Sequence, residues 1–468
     1  MKQKFPLSKT YLPIIILVTL LVLFLPIYAR FSSGTPVFPS DESYYHLGII
    51  KSISSDNFNF QESQISSFHY FMSFLVSLFG DSITWIITIL LGLASTVFFF
   101  LNSKILIKDE LTVLIATALF ILSPIFLFVF SIFTPYSLVL FLFLLFVFAY
   151  LKKSYFSIPL LMLISITDFS FYLLSCLFIV AYYFYSSNLR FSIITFIPSV
   201  LSLLLFSFSN NFLFLSLTKA TFSTFFTSFG VISGISFFYL FMALLGLFLA
   251  WSDKKYFVHI LFFFLLIFSF SLFNVQGKIA LNILLCFFSA ILIVFLSKRE
   301  WVIVTIKHFT LLLIFCGIIF STSLQVNQLI LVNPTNELFL SLDSLKITSQ
   351  NQTNILSHPD YGHMINYFSN KESVFTSFSG SDAFSNVSND ILKSRDLSLF
   401  KSYLDTNSIS FILITDDMRN GLVWSQEDEG ILFLIKNTPD FRKTYSSDTV
   451  EIWSYDLFND WWKEPLYE

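Results

Sequence analysis

Long apolar runs follow one another along the first two thirds of the chain, with polar residues gathered between them and in the last third. The runs cover about 11–29, 83–102, 111–130, 135–151, 155–167, 170–186, 190–208, 229–251, 256–273, 279–297 and 302–321. A hydrocarbon core roughly 30 Å thick takes about 20 apolar helical residues to cross. The eleven runs therefore predict an α-helical polytopic membrane domain over 1–322. The first run is too long and too rich in Ile and Leu for a signal peptide, and no small-residue cleavage site follows Tyr28-Ala29-Arg30, so it reads as an anchor.

Orientation follows from Lys and Arg, which collect in cytoplasmic loops. With Lys2, Lys4 and Lys9 inside, the inner loops hold Lys104 and Lys108, Lys152 and Lys153, Arg190, Lys254 and Lys255, then Lys298, Arg299 and Lys307. The outer loops hold Arg30, Lys51, Lys219 and Lys278. A single helix over 155–185 would invert every later loop, so the break at Thr167-Asp168 reads as an outer turn between two short helices. The expected location is the cell membrane, with a cytoplasmic N-terminus and an extracytoplasmic tail.

The tail, 323–468, loses the long runs and gains Asn, Asp, Ser and Lys. Short β-like segments at Ser410–Thr415, Ile431–Ile435 and Thr449–Trp453, spaced by helix-like stretches, predict a small α/β domain. Two sequons, Asn351-Gln352-Thr353 and Asn386-Val387-Ser388, fall in it, although such triplets arise readily by chance.

Composition sharpens the class. At 468 residues, 55% hydrophobic, 19% aromatic and 12% charged, the chain has more apolar surface than a soluble fold can hide. A net charge of -3 gives no basic field for nucleic acid. Cys176, Cys286 and Cys316 lie inside apolar runs and imply neither a disulfide framework nor a metal cluster.

The first outer loop, 30–82, is long and acidic, with Asp41, Glu42, Asp56, Glu62 and Asp81. Pro39-Ser40 signals a helix start, which puts Asp41 and Glu42 in the first turn of a helix running toward Ile53. Glu42 and His46 then share a face, as do Asp41 and Tyr45. Complementing the helix dipole is the ordinary role of such acids. The functional alternative is a carboxylate at headgroup level that takes a proton from an acceptor hydroxyl.

In these residues the chain resembles the class-C (GT-C) glycosyltransferases, membrane enzymes that transfer sugars from polyprenyl-phosphate or polyprenyl-diphosphate donors. Asp41-Glu42-Ser43-Tyr44-Tyr45 resembles the protein O-mannosyltransferase pattern, and Tyr44-Tyr45-His46-Leu47 that of the oligosaccharyltransferases. Ser66-Ser67-Phe68-His69-Tyr70-Phe71 is similar to the segment before their second crossing. In the tail, His358-Pro359-Asp360-Tyr361-Gly362 looks like the oligosaccharyltransferase segment Trp-Trp-Asp-Tyr-Gly, with His358-Pro359 in place of Trp-Trp. The resemblance implies that Asp41 acts as general base, with Glu42 second in line. It also implies substrate contacts at Tyr45, His46, His69, Asp360 and Tyr361. Asp168, an acid near membrane depth, is a substrate candidate in its own right, though an Asp there also simply makes a turn.

The second outer loop, Ser131-Ile132-Phe133-Thr134-Pro135-Tyr136, lacks the acids with which oligosaccharyltransferases hold a metal. The expectation is thus no metal ligand set and no cofactor, as in the metal-independent branch, although a divalent ion is what that family's motif carries. Expected partners are a lipid-linked sugar donor, a protein, lipid or glycan acceptor and membrane lipids. The leaving phosphate would draw on His46, His69, Arg30, Lys51, Lys219 or Lys278. A transporter, flippase or assembly scaffold, or an inactive homologue, is the competing reading. Polarity concentrated on one outer face, with nearly charge-free helix interiors, favours surface chemistry.

Overall fold

The computed structural model of the chain describes residues 7–54, 65–186, 191, 193–201, 225–227, 232–249, 254–348, 353–377, 382–426 and 428–455. They divide into two compact units, one of Met1–Ala29 with Ile65–Leu331 and one of Arg30–Gln64 with Val332–Glu468. The sequence predicts a boundary near 322; the second unit also takes in residues 30–54 of the segment read from the sequence as the first outer loop.

The first unit is helical. After α1 (Leu7–Ser32) and, in the second unit, α2 (Asp41–Ser54), it comprises α3 (Ser67–Phe79), α4 (Ile83–Leu106), α5 (Glu110–Leu122), α6 (Pro124–Ser131), α7 (Tyr136–Leu151), α8 (Ser157–Thr167) and α9 (Phe169–Ser186). It continues with α10 (Phe237–Leu249), α11 (Lys254–Phe273), α12 (Val275–Lys298) and α13 (Val304–Leu331). Every apolar run read from the sequence holds a helix, except that 190–208 lies partly outside the described residues. Among the described residues four stretches are long and apolar enough to cross a membrane, or five if α5 and α6, which meet at 52°, count as one. The other apolar helices are shorter. This is the architecture of a polytopic membrane protein.

Local chemistry explains the breaks. Pro124 has no N–H for the helix before it and starts α6, while Ser123 caps α6 by accepting from Phe126 N at 3.3 Å. Asn282 of α12 donates to the same Ser123 hydroxyl at 2.9 Å, tying the bend to its neighbour. Helices α10 and α12 approach so closely at Gly246 that a Cβ there would lie 1.9 Å from the Phe288 carbonyl oxygen. Small residues allow such backbone contact between apolar helices.

Loops at one end of this unit are joined by hydrogen bonds: Ser67 with Thr167 at 2.8 Å, Asn274 to Ser170 at 3.1 Å, and Gln276 to Asp168 at 3.1 Å. At the other end of α12, Lys298 pairs with Asp109 at 2.7 Å. The turn at Thr167-Asp168 therefore lies at the end opposite Asp109, as two short helices require.

The second unit contains α2, α14 (Asn336–Thr348), α15 (Gly362–Ser369), α16 (Asp382–Leu392), α17 (Leu397–Thr406), α18 (Ile431–Asn437) and a four-stranded sheet. Its strands are β1 (Asn354–Leu356), β2 (Ile409–Thr415), β3 (Phe441–Ser446) and β4 (Val450–Tyr455), in the order β1-β2-β4-β3. Strand β1 is parallel to β2, and the other pairs are antiparallel. The strands expected at 410–415 and 449–453 are β2 and β4. The one expected at 431–435 is instead α18, whose buried residues Ile431, Leu432, Leu434 and Ile435 follow helical spacing.

Arg30 closes the unit. Fully buried, it donates from Nε to Pro36 O at 2.8 Å, from Nη1 to Val332 O at 2.7 Å and from Nη2 to Pro334 O at 2.9 Å. Ser40 N donates to Asn333 O at 2.7 Å, so both segments are joined again just before α2.

Candidate functional site

Helix α2 starts where Ser40 takes a left-handed φ of 74°, which turns the chain abruptly and sets Asp41 as the first helical residue. Asp41 is buried, and both its carboxylate oxygens are occupied. Oδ1 accepts from Met364 N at 2.9 Å and Oδ2 from the Ser377 hydroxyl at 2.9 Å. Met364 is the third residue of α15, and Tyr361 at that helix's own cap position offers no side-chain bond. Asp41 thus caps α15 from another part of the sequence, where the helix dipole favours an anion.

Gly362, the first residue of α15, makes the approach possible: a Cβ there would lie 2.2 Å from the Phe375 carbonyl oxygen. Burial pushes the Asp41 carboxyl up to about 8; the Met364 N–H and Ser377 hydroxyl draw it back, and the negative charge of Asp360 adds to the rise.

Glu42 is different. Its side chain is partly exposed, no described residue hydrogen-bonds its carboxylate, and its enclosure alone pushes that carboxyl up to about 7. Further along α2, the buried Tyr45 ring stands 5.1 Å from the His46 ring and 4.8 Å from that of His363. Burial lowers His363 to about 4, which keeps it neutral. Tyr44 donates to Phe38 O at 2.7 Å and packs on Tyr367 and Phe368. Lys51 donates to Asn370 Oδ1 at 3.2 Å, with its ammonium over the Tyr367 ring.

Asp360 is exposed, with an oxygen 3.5 Å from His358 Nδ1. Tyr361 is buried; its hydroxyl donates to Asp417 at 3.0 Å and accepts from Thr415 at 3.0 Å. The segment that looks like Trp-Trp-Asp-Tyr-Gly therefore forms the turn that leads into α15, beside the end of β2.

His69 and Asp168 belong to the first unit. His69 Nδ1 accepts from Ser66 N at 3.0 Å, closing a capping box on α3 and leaving the ring proton on Nε2. Burial lowers this imidazole to about 4, so it offers a neutral N–H and no charge. Asp168 caps α9 by accepting from Phe171 N at 2.8 Å and also accepts from Gln276 at 3.1 Å. Of the basic residues expected near a leaving phosphate, Arg30 spends its donors on three carbonyls, Lys278 is buried in the first turn of α12 and Lys219 lies outside the described residues.

Sequence patterns gave no sign of Ser377, of Arg30 as a carbonyl clasp or of the Tyr361–Asp417 bond, because each joins distant parts of the chain. The sequon at Asn386 falls in α16, where Ser388 is fully buried. The residues described around Asp41 do not fit a divalent cation, since both oxygens face N–H or O–H donors. No three His, Cys, Asp or Glu side chains come together among the described residues.

In the first unit an apolar cavity of about 820 Å³ opens among α4, α7, α9, α11 and α12, walled by side chains such as Phe99, Phe143, Leu174, Phe264 and Leu284.

No family model and no curated protein matches the sequence. Solved structures do. The oligosaccharyltransferase AglB of Archaeoglobus fulgidus, solved with an inhibitory peptide and a dolichol-phosphate, is similar at TM-score 0.61 and 11% identity, over 88% of this chain and 70% of that one. ArnT of Cupriavidus metallidurans, bound to undecaprenyl phosphate, is similar at 0.53 and 11%, over 96% and 98%. The arabinofuranosyltransferase AftD from Mycobacteria is similar at 0.58 and 15%, over 96% and 40%. The fold is that of the class-C membrane glycosyltransferases.

Proposed function

We propose that the chain is a membrane glycosyltransferase that moves a sugar from a polyprenyl-phosphate-type lipid to an acceptor on the outer face of the membrane. The observation that carries this reading is the shared fold, extending over nearly the whole chain to two proteins solved with polyprenyl phosphates, one of them an oligosaccharyltransferase. The acid pair at the start of α2 supplies a group suited to the chemistry. In this proposal the chain crosses the membrane eleven times with its N-terminus in the cytoplasm, as the charge pattern of its loops supports. The tail is then extracytoplasmic.

In the reaction, the acceptor's nucleophilic atom bonds to the anomeric carbon as the bond from that carbon to the phosphate oxygen breaks. The bonding pair leaves with the lipid phosphate, and the acceptor's proton passes to a carboxylate of the Asp41–Glu42 pair. A positioned base contributes about 10²–10⁴ in rate and works best with a pKa near the operating pH. The raised carboxyls of this pair meet that condition. The apolar cavity among the helices is suited to hydrocarbon such as an isoprenoid chain. Tyr45, His46 and Asp360 are the proposed substrate contacts, while Tyr361 holds the turn before α15, and in the first unit His69 and Asp168 cap α3 and α9.

The test is sugar transfer in proteoliposomes supplied with undecaprenyl-phosphate and dolichyl-phosphate hexoses, read as release of the polyprenyl phosphate. The D41N/E42Q double variant is expected to lose at least about 10²-fold. Wild-type rates in that variant would end the assignment of the pair as base.

A further inference from the structure

Building on the proposal that this acid pair takes the acceptor's proton, we infer that Glu42 is the proton acceptor and that Asp41 is a positioning residue which fixes α2 against the start of α15. This reverses the order that the resemblance implies.

The two carboxylates differ in what they touch. Asp41 is buried, with one oxygen held by Met364 N and the other by the Ser377 hydroxyl, each at 2.9 Å. An acceptor hydroxyl reaching it must displace or crowd those donors. Glu42, one residue on and about 100° round the helix, has no hydrogen bond from any described residue and keeps part of its side chain exposed. A general base must be able to take up the proton it removes, and of the two carboxylates only that of Glu42 has no donor from a described residue already on it. The titratable groups on the elements that meet here are His46 on α2 itself, and Asp360, whose charge acts on Asp41, with His358 and His363 in the segment that leads into α15. None of them hydrogen-bonds Glu42. Its carboxyl, at about 7, is divided between acid and base forms near neutral pH.

The amide variant at Asp41 separates the roles. In D41N the side-chain oxygen still accepts from Met364 N, and the new NH₂ donates to the Ser377 oxygen, so the cap persists without a titrating group. E42Q keeps size and removes the base.

The experiment treats the full chain in lipid nanodiscs with dicyclohexylcarbodiimide, which modifies protonated carboxyls in apolar surroundings, and places the label by fragment-ion mass spectrometry. Transfer by D41N and E42Q, each first shown by thermal melting to be folded, is measured beside it. The expected result is a label on Glu42 that falls as pH rises through about 7, whatever the buried Asp41 carboxyl takes up. E42Q is expected to lose about 10²–10⁴-fold in transfer, and D41N to stay within about tenfold. The absence of any label on Glu42, or loss of transfer in D41N with E42Q active, overturns this assignment and leaves the acid-pair reading intact. Full transfer in the D41N/E42Q double variant overturns both.

Discussion

A charged side chain can be legible in sequence as a residue and misread as a role, and Arg30 is the clearest case. Its position just past an apolar run suggested a partner for a lipid phosphate. In the fold it is fully buried, with donors committed to Pro36, Val332 and Pro334. A guanidinium suits this work because its donors are held in a fixed planar fork, whereas an ammonium is a single compact charge. Arg30→Lys and Arg30→Ala should therefore both destabilise the second unit, the alanine by about 3 kcal/mol or more, since three carbonyls lose a charged donor at once. Thermal melting of the full chain in detergent, with limited proteolysis mapped to 332–348, measures this. Wild-type stability in both variants would show that the clasp is dispensable. His69 teaches the same lesson: an imidazole in a loop read from the sequence as outer looks like a phosphate ligand, yet its Nδ1 closes the cap of α3.

Elements were legible where a local pattern decides them. The apolar runs became helices, and the Pro39-Ser40 signal placed the start of α2 at Asp41, because length, periodicity and capping chemistry are written within a few residues of each other. Residues 431–435 failed that test: a short apolar run fits a buried strand or one side of a helix, and packing chose α18. The capping of α15 by Asp41 was beyond reach, since the two lie in distant parts of the sequence. Gly362 carries the element-scale prediction. Its place in Asp360-Tyr361-Gly362 reads as turn chemistry, but the fold uses it to let α15 meet the backbone at Phe375. Gly362→Ala must push either α15 or the 375–377 segment aside, costing about 1–3 kcal/mol and loosening the Ser377 bond to Asp41. Thermal melting, together with faster hydrogen exchange at Met364, is the measurement; unchanged values for both would mean that the backbone absorbs the methyl group without strain.

On the scale of the whole molecule, the charge pattern and the fold bear on one another at the ends of the helical unit. Lys298 and Asp109 meet at one end of α12, and the loops at Ser67, Thr167–Ser170 and Asn274–Gln276 meet at the other. Lysines and arginines dominate the loops of the first end and are sparse in those of the second, the asymmetry that orients membrane proteins. The short pair α8 and α9 matters most here, because reading it as one crossing would send Asp109 and Lys298 to opposite sides, against their contact at 2.7 Å. Single cysteines introduced at Lys108 and at Gln276, in a background with Cys176, Cys286 and Cys316 replaced, test the consequence in intact cells. A membrane-impermeant maleimide should label position 276 and leave position 108 untouched until the membrane is opened. Labelling of position 108 first would invert the molecule and place the acid pair on the cytoplasmic side. The proposed sugar donor would then have to be presented from the opposite leaflet.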